Sequence, residues 1–293
     1  MNTLGVHALV WTGGWSEAEA RHAISSTAAA GFDIIEIPVL DPAAIDTAMT
    51  RRLLDEYGLG VSCSLGLKLD ADISSPDPDV ASRGLVLLRD ALRVARDVGS
   101  SYLCGVLYSA LAKYPAPATP EGRRNCVEAL RALAGEAAAA DVILGLEVVN
   151  RYETNVINTA DEALVLLDEI GSERVLVHLD TYHMNIEETD FASPVARSGE
   201  RLGYVHVGES NRGYLGTGTV DFAQFFDALA RSGYAGPITF ESFSSAVVSR
   251  DLSNTLAIWR NLWSDGADLA RKARQFIVEA VEASRQRALV AAR

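Results

Sequence analysis

The sequence predicts an α/β protein of the (β/α)8 barrel class. Short apolar runs, several rich in Val and Ile and bounded by Gly, Pro, Asp or Ser, alternate with longer stretches of helical period, and eight of each can be counted. Strands separated by helices pair in parallel, because a parallel neighbour needs a crossover. An open doubly wound sheet is the competitor; it favours a glycine-rich phosphate turn after the first strand. Thr12-Gly13-Gly14-Trp15 lacks the G-x-G-x-x-G spacing. With 293 residues, 48% of them hydrophobic, the chain is long enough for one barrel. We expect a single domain over residues 1–293 with one extra C-terminal helix at about Ala267–Ala291.

In chain order, the expected strands are Leu4–Val10, Phe32–Pro38, Gly60–Leu65, Ser101–Leu107, Val142–Val148, Val175–Leu179, Leu202–Val207 and Pro237–Phe240. The helices between and after them are Ser16–Ala30, Ala43–Tyr57, Asp79–Val98, Pro120–Ala140, Thr159–Ile170, Asp190–Gly199, Asp221–Arg231 and Ser249–Trp263. Ser16 stands three residues before Glu19, the spacing of a capping box. Thr119-Pro120 places a cap and then a proline at the first helical position. Gly31, Gly58, Gly171 and Gly233 fall just after helices, where a left-handed residue is wanted. Leu111–Thr119, carrying Pro115 and Pro117, reads as a long loop after the fourth strand. In the last helix Leu269, Phe276, Ile277, Ala280 and Val281 recur near helical spacing, a face for the outside of the barrel or for a partner subunit.

Lys and Arg number 26 against 39 Asp and Glu, a formal net charge of −13. That balance argues against a nucleic-acid surface and against a polybasic membrane patch. No window holds a run of apolar residues long enough for a membrane span, and MNTLGVHALVW has no signal-peptide pattern. Cys63, Cys104 and Cys126 are odd in number and fit no zinc spacing, so a reducing, cytoplasmic setting is the simplest reading.

Barrel enzymes work at the C-terminal ends of their strands. There, four consecutive strands each supply one metal-binding side chain: Glu147, Asp180, His206 and Glu241. Carboxylates among apolar neighbours cost several kcal/mol in lost hydration unless a cation pairs with them. Arg212, in a loop, is the only Lys or Arg near these ends, so a divalent ion is the economical counter-charge. Three carboxylates and one imidazole suit Mn²⁺, Mg²⁺ or Co²⁺ better than a thiolate-rich zinc site.

Further polar residues follow in the loops. Glu153, His183 and Arg212 are placed to reach over such an ion and hold substrate oxygens, or else are ordinary loop residues. Glu36 ends the second strand and is either an inward carboxylate or, by preference, a salt bridge at the barrel rim; His178 reads as a core histidine satisfied by its neighbours, and His22 as a helix-surface residue. Trp11, Trp15, Tyr108, Tyr114 and Phe243 lie near strand ends. There they fit either a sugar face or the packing of loops. No nucleophile elbow and no P-loop is present.

Three stretches carry a resemblance: Gly145-Leu-Glu-Val-Val-Asn-Arg-Tyr-Glu153, Leu179-Asp-Thr-Tyr-His-Met-Asn-Ile-Glu-Glu188 and His206-Val-Gly-Glu-Ser-Asn-Arg212. They resemble the signature segments of ketose 3-epimerases, the group of D-tagatose, D-psicose (allulose) and L-ribulose 3-epimerases, and the likeness runs from Gly5 to Arg260. The resemblance implies a (β/α)8 barrel, one Mn²⁺-type ion per subunit, a small ketose as partner, and a homodimer or homotetramer. By motif position it implies metal ligands Glu147, Asp180, His206 and Glu241, with Glu153, His183 and Arg212 on the O1–O3 end of the sugar. It also implies Trp15 and Phe243 lining the pocket. His7 and Ser64 stand where some members have phenylalanine and cysteine, and they bear on the C4–C6 end.

The implied chemistry is epimerisation at C3 through a cis-enediolate, the ion acting as Lewis acid. Inversion needs one carboxylate on each face of the sugar, and Glu147 and Glu241 stand on non-adjacent strands. Rival readings are an aldose–ketose isomerase, for which Lys68 is the only lysine at hand, an inosose dehydratase, a metal nuclease acting on abasic DNA, and a non-catalytic sugar sensor.

Overall fold

Eight strands close on one another in chain order, all parallel, with the first pairing the last. They are β1 (Leu4–His7), β2 (Ile34–Pro38), β3 (Gly60–Leu67), β4 (Tyr102–Ala110), β5 (Ile143–Val148), β6 (Val175–Asp180), β7 (Leu202–Val207) and β8 (Ile238–Phe240). The computed structural model describes residues 2–291; Met1, Ala292 and Arg293 lie outside the described residues. The helices are α1 (Glu17–Ala29), α2 (Thr47–Tyr57), α3 (Pro78–Val98), α4 (Pro120–Ala139), α5 (Ala160–Ile170), α6 (Thr181–Glu187), α7 (Ser193–Ser198), α8 (Phe222–Ser232), α9 (Arg250–Thr255) and α10 (Gly266–Ala291).

Strands covered by helices outside and by side chains inside are buried on both faces, which is why they read as near-continuous apolar runs. Leu144, Leu146, Val177, Leu179, Val205 and Val207 are all inaccessible. Alternate positions point inward and bear the polar groups, among them Glu36, Ser62, Tyr204 and Thr239, which are joined by hydrogen bonds of 2.7–2.8 Å. Gly105 is required where β4 meets β3: its φ is 110°, and a Cβ would strike the Leu65 carbonyl.

Several boundaries differ from expectation, each for a local reason. The first strand stops at His7, whose Nδ1 accepts the Leu9 N–H at 3.2 Å and turns Ala8–Val10 into a 3₁₀ helix. β4 runs on to Ala110, which pairs with Leu67 beyond a register shift at Gly66. The expected helix Ala43–Tyr57 is two pieces, because Asp46 caps the Met49 N–H and starts α2 afresh. Asp190–Gly199 shrinks to α7, with Asp190 accepting from Ala192 and Ser193. Ser249–Trp263 is helical only through α9, since Ala257 takes a left-handed φ of 54° and Ile258 bonds back to Ser253.

The last helix packs on the outside of its own barrel. Leu269, Ala270, Ala273 and Ile277 are buried, and the Phe276 ring meets Phe222 of α8 edge-on at 5.0 Å. Arg287 of the last helix bonds Asp227 of α8. Just upstream of α10, the Trp263 N–H reaches Ser242 at 2.9 Å and ties the segment to the mouth of the barrel beside β8.

Candidate metal and sugar site

Four chain segments distant in sequence bring Glu147, Asp180, His206 and Glu241 to one point. One donor atom from each lies within 4.8 Å of the others. Register explains it: Asp180 pairs with His206, and His206 with Thr239, next door but one to Glu241. Asp180 is inaccessible and His206 nearly so, while Glu147 and Glu241 keep edges on the cavity. His206 Nδ1 sits 3.4 Å from Glu147 Oε1 and 3.5 Å from Glu241 Oε1, so the two glutamates flank it. Neither His206 Nδ1 nor Glu147 Oε1 has a hydrogen-bond partner although both are buried. Unpartnered buried donors converging on one spot fit a cation.

The charges agree. Burial raises the pKa of Glu147 and of Asp180, and crowding among the carboxylates adds to it. Burial alone would depress His206, but Glu36, Glu241 and Glu147 outweigh it and hold the imidazole well above its ordinary value. Buried carboxylates crowded on one point are an arrangement a divalent cation relieves.

Arg212 is the protein's own cation here. Its Nη1 lies 2.7 Å from Glu241 Oε2 and 3.1 Å from Asp180 Oδ2, and its guanidinium stacks on Tyr182 at 3.8 Å. The residue adopts φ 58°, a left-handed conformation that costs an arginine about 1 kcal/mol or more. Glu209 secures that loop: its buried carboxylate accepts N–H groups from Ser210, Gly216 and Val220.

His183 is not in a loop, as the sequence reading had it, but on α6. That helix begins at once after β6 because Asp180 Oδ1 accepts the Tyr182 N–H at 2.7 Å. Asn150 gives His183 Nδ1 its backbone N–H at 3.2 Å and its amide at 2.8 Å. The same amide reaches Glu153 at 2.8 Å. Burial, then Arg212, keep the His183 pKa well below ordinary; Nδ1 takes the Asn150 contacts, and Nε2 lies 3.4 Å from Arg212 Nη2. Burial pushes the Glu153 carboxyl up to about 7. Asn150 was missed as an orienting residue, although it lies inside the first signature stretch.

A cleft opens over the cluster. His7, Ser64, Glu147, Glu153, His183, His206, Arg212, Glu241 and Phe243 line it. Asp180 is buried and does not line it. Trp15 lines an adjoining hollow that shares Leu9, Pro38 and Leu40 with the cleft, its N–H bonded to Thr50 at 2.9 Å. His7 Nε2 is 3.3 Å from Ser64 Oγ. Tyr108 is packing: it is fully buried, with its hydroxyl donating to the Glu147 carbonyl at 2.7 Å. Lys68 is exposed and lines no part of the cleft.

Two readings need correction. Glu36 is no rim salt bridge. It is fully buried, and it meets the His206 ring and the Tyr204 hydroxyl instead of a lysine or arginine. Burial alone would raise it; His206 and His7 hold it well below the carboxylate range. His178 is a core residue, but neither of its ring nitrogens has a hydrogen-bond partner. Its ring stands edge-on to His206 at 4.2 Å and to Tyr204 at 5.0 Å. Burial holds its pKa well below the ordinary value, so it is a neutral ring.

Residues 24–280 match the xylose isomerase-like TIM barrel family. An L-ribulose 3-epimerase of Methylomonas sp. (strain DH-1) is 57% identical over 273 residues, covering 93% of this chain and 96% of that one. A ketose 3-epimerase of Arthrobacter globiformis is 50% identical, covering 94% of this chain and 95% of its own. The crystal structure of a D-allulose 3-epimerase from Methylomonas sp. in complex with D-allulose superposes with a TM-score of 0.94. It is 56% identical, over 95% of this chain and 97% of that one.

Proposed function

The chain belongs to the ketose 3-epimerases, within the xylose isomerase-like TIM-barrel family, and on that premise we propose that it inverts C3 of free ketoses through a cis-enediolate. It is an isomerase. The substrates we assign are of the L-ribulose, D-tagatose and D-psicose/D-fructose type, in keeping with the names of its relatives. The observation that carries the mechanism is the pair of glutamates, Glu147 and Glu241, each with an oxygen within 3.5 Å of His206 Nδ1 and each bordering the cleft.

Glu147, Asp180, His206 and Glu241 would hold one divalent cation, Mn²⁺ by preference with Mg²⁺ or Co²⁺ as alternatives. Bound there, it would supply Lewis acidity toward the substrate's O2 and O3. A carboxylate oxygen of one glutamate takes the C3 proton. The other glutamate returns a proton to the opposite face, which is what inverts the centre. The pair exchanges roles when the reaction runs backwards. His183 donates from Nε2, Glu153 accepts a hydroxyl proton, and Arg212 donates from its guanidinium; together they hold the O1–O3 end against drift. His7, Ser64 and Phe243 face the other end of the sugar, and Trp15 meets only a chain long enough to enter the adjoining hollow.

The test is Glu147→Gln and Glu241→Gln, with turnover followed by NMR in deuterated water. Each variant should keep the fold and lose exchange of the C3 hydrogen, and normal turnover in either refutes the two-carboxylate scheme. A hydride-shift isomerase would want a lysine at the carbonyl, and Lys68 does not supply it. We further assign a homodimer or homotetramer and a cytoplasmic setting. Two exposed apolar residues, Trp259 (76% exposed) and Leu262, support the first, and three free buried cysteines suit the second. Light scattering of the wild type tests the oligomer, and a monomer would refute it.

A further inference from the structure

We propose that Glu36 is a positioning residue: it fixes the His206 ring so that Nδ1, not Nε2, is the atom offered to a divalent cation. The inference rests on the metal-site reading above. Glu36 lies on β2, four strands around the closed barrel from β6 and three from β7 by the shorter path, yet its side chain meets His206 of β7 inside the barrel. Its Oε2 is 2.8 Å from His206 Nε2. A carboxylate only accepts, so that contact places a proton on Nε2. In the neutral ring the lone pair then belongs to Nδ1. That is the nitrogen flanked by Glu147 Oε1 and Glu241 Oε1, buried and without a hydrogen-bond partner.

The carboxylate is itself held. The Tyr204 hydroxyl donates to the same Oε2 at 2.8 Å. Ser62 and Thr239 each approach the Tyr204 oxygen at 2.7 Å, so hydroxyls from β3 and from β8 keep the tyrosine aimed. Glu36 is wholly inaccessible and has no lysine or arginine partner among the described residues. A buried acid kept in place of an apolar residue is expensive unless its charge is used. Here the use is to lock tautomer and ring orientation and to make Nδ1 a stronger donor, as an outer carboxylate does for a metal-bound histidine. Without it the ring is free to turn over or to carry its proton on Nδ1.

The test is Mn²⁺ binding to the full chain, read from the EPR signal of the free ion. Glu36→Gln keeps the acceptor oxygen and the shape but loses the charge. Glu36→Leu loses both. Removing an outer-sphere partner of this kind weakens metal binding by roughly 10–100-fold. We expect about tenfold for Gln and about a hundredfold for Leu, with the chelated Gln variant unfolding near the wild-type temperature. Saturating Mn²⁺ should restore most of kcat in the Gln variant, as a loss of affinity alone requires. In the Mg²⁺-loaded wild type, side-chain ¹⁵N NMR should show His206 protonated on Nε2 alone. If the wild type binds Mn²⁺ and the Gln variant binds within twofold of it, or if His206 carries its proton on Nδ1, the role of Glu36 is refuted while the metal site stands. If the wild type itself takes up no Mn²⁺, the metal-site reading fails first. Should the Leu variant not fold, the Gln variant and the NMR measurement still decide.

Discussion

Glu153→Gln should make the metal-free protein more stable at pH 8 and a worse enzyme. Burial moves the Glu153 carboxyl from 4.5 to about 7. Each pKa unit is worth about 1.4 kcal/mol between protonation states, so the ionised group costs the fold about 3 kcal/mol at full burial. Its side chain is 16% exposed, so water screens part of that, and about 2 kcal/mol is the working figure. The sign follows from proton counting. The native state binds the proton more tightly than the unfolded chain, so stability is intact below about pH 4.5, falls as pH rises to about 7, and is flat above. Glutamine accepts the Asn150 amide hydrogen bond without a charge, so the variant lacks that decline. Urea unfolding in chelator at pH 5 and pH 8 measures it. The two proteins should differ little at pH 5 and by about 2 kcal/mol in the variant's favour at pH 8. Losing a charged acceptor for a substrate hydroxyl should cost kcat/KM roughly 10–100-fold. Parallel pH dependence in the two proteins, or a variant that is less stable at pH 8, would refute the reasoning.

Three other outcomes are expected. Dialysis against a strong chelator should abolish C3 exchange and added Mn²⁺ should restore it; unchanged turnover in the chelated enzyme would remove the cation from the chemistry. Asn150→Ala removes the amide from His183 and Glu153 and leaves His183 only the backbone N–H; it should lower kcat/KM about 10–100-fold at a stability cost of about 1–3 kcal/mol, measured by initial rates on a ketose panel and by urea unfolding. Removing the chain after Asp265 uncovers the α8 face on which Phe276 and Ile277 pack, so the truncated protein should unfold several degrees earlier or aggregate in a thermal scan.

The barrel was legible because its signal is periodic and repeated: eight apolar runs, eight helical stretches, and glycines where helices must end. The four clustered strand-end residues were legible for a related reason. A residue at the C-terminal end of a barrel strand has little choice of where to point, so Glu147, Asp180, His206 and Glu241 could be collected without knowing any contact. What failed to show was whatever depends on closure. Glu36 meets His206 across the barrel, and no local pattern records a partner 170 positions away. Asn150 was visible as part of a motif, yet its work depends on His183 arriving from α6, which starts only because Asp180 doubles as a cap. Ser249–Trp263 had helical composition throughout, but a left-handed Ala257 and the packing of Leu252 and Ile258 under Phe243 ended the helix early. Trp15 has the right sequence neighbourhood for the cleft, and the loop carrying it falls one hollow to the side.

Diffraction from crystals soaked in manganese, recorded at the manganese absorption edge, interrogates the site most directly. One anomalous peak per chain should stand within bonding distance of Glu147, Asp180, His206 Nδ1 and Glu241. No peak there, or a peak ligated by other side chains, would contradict the site.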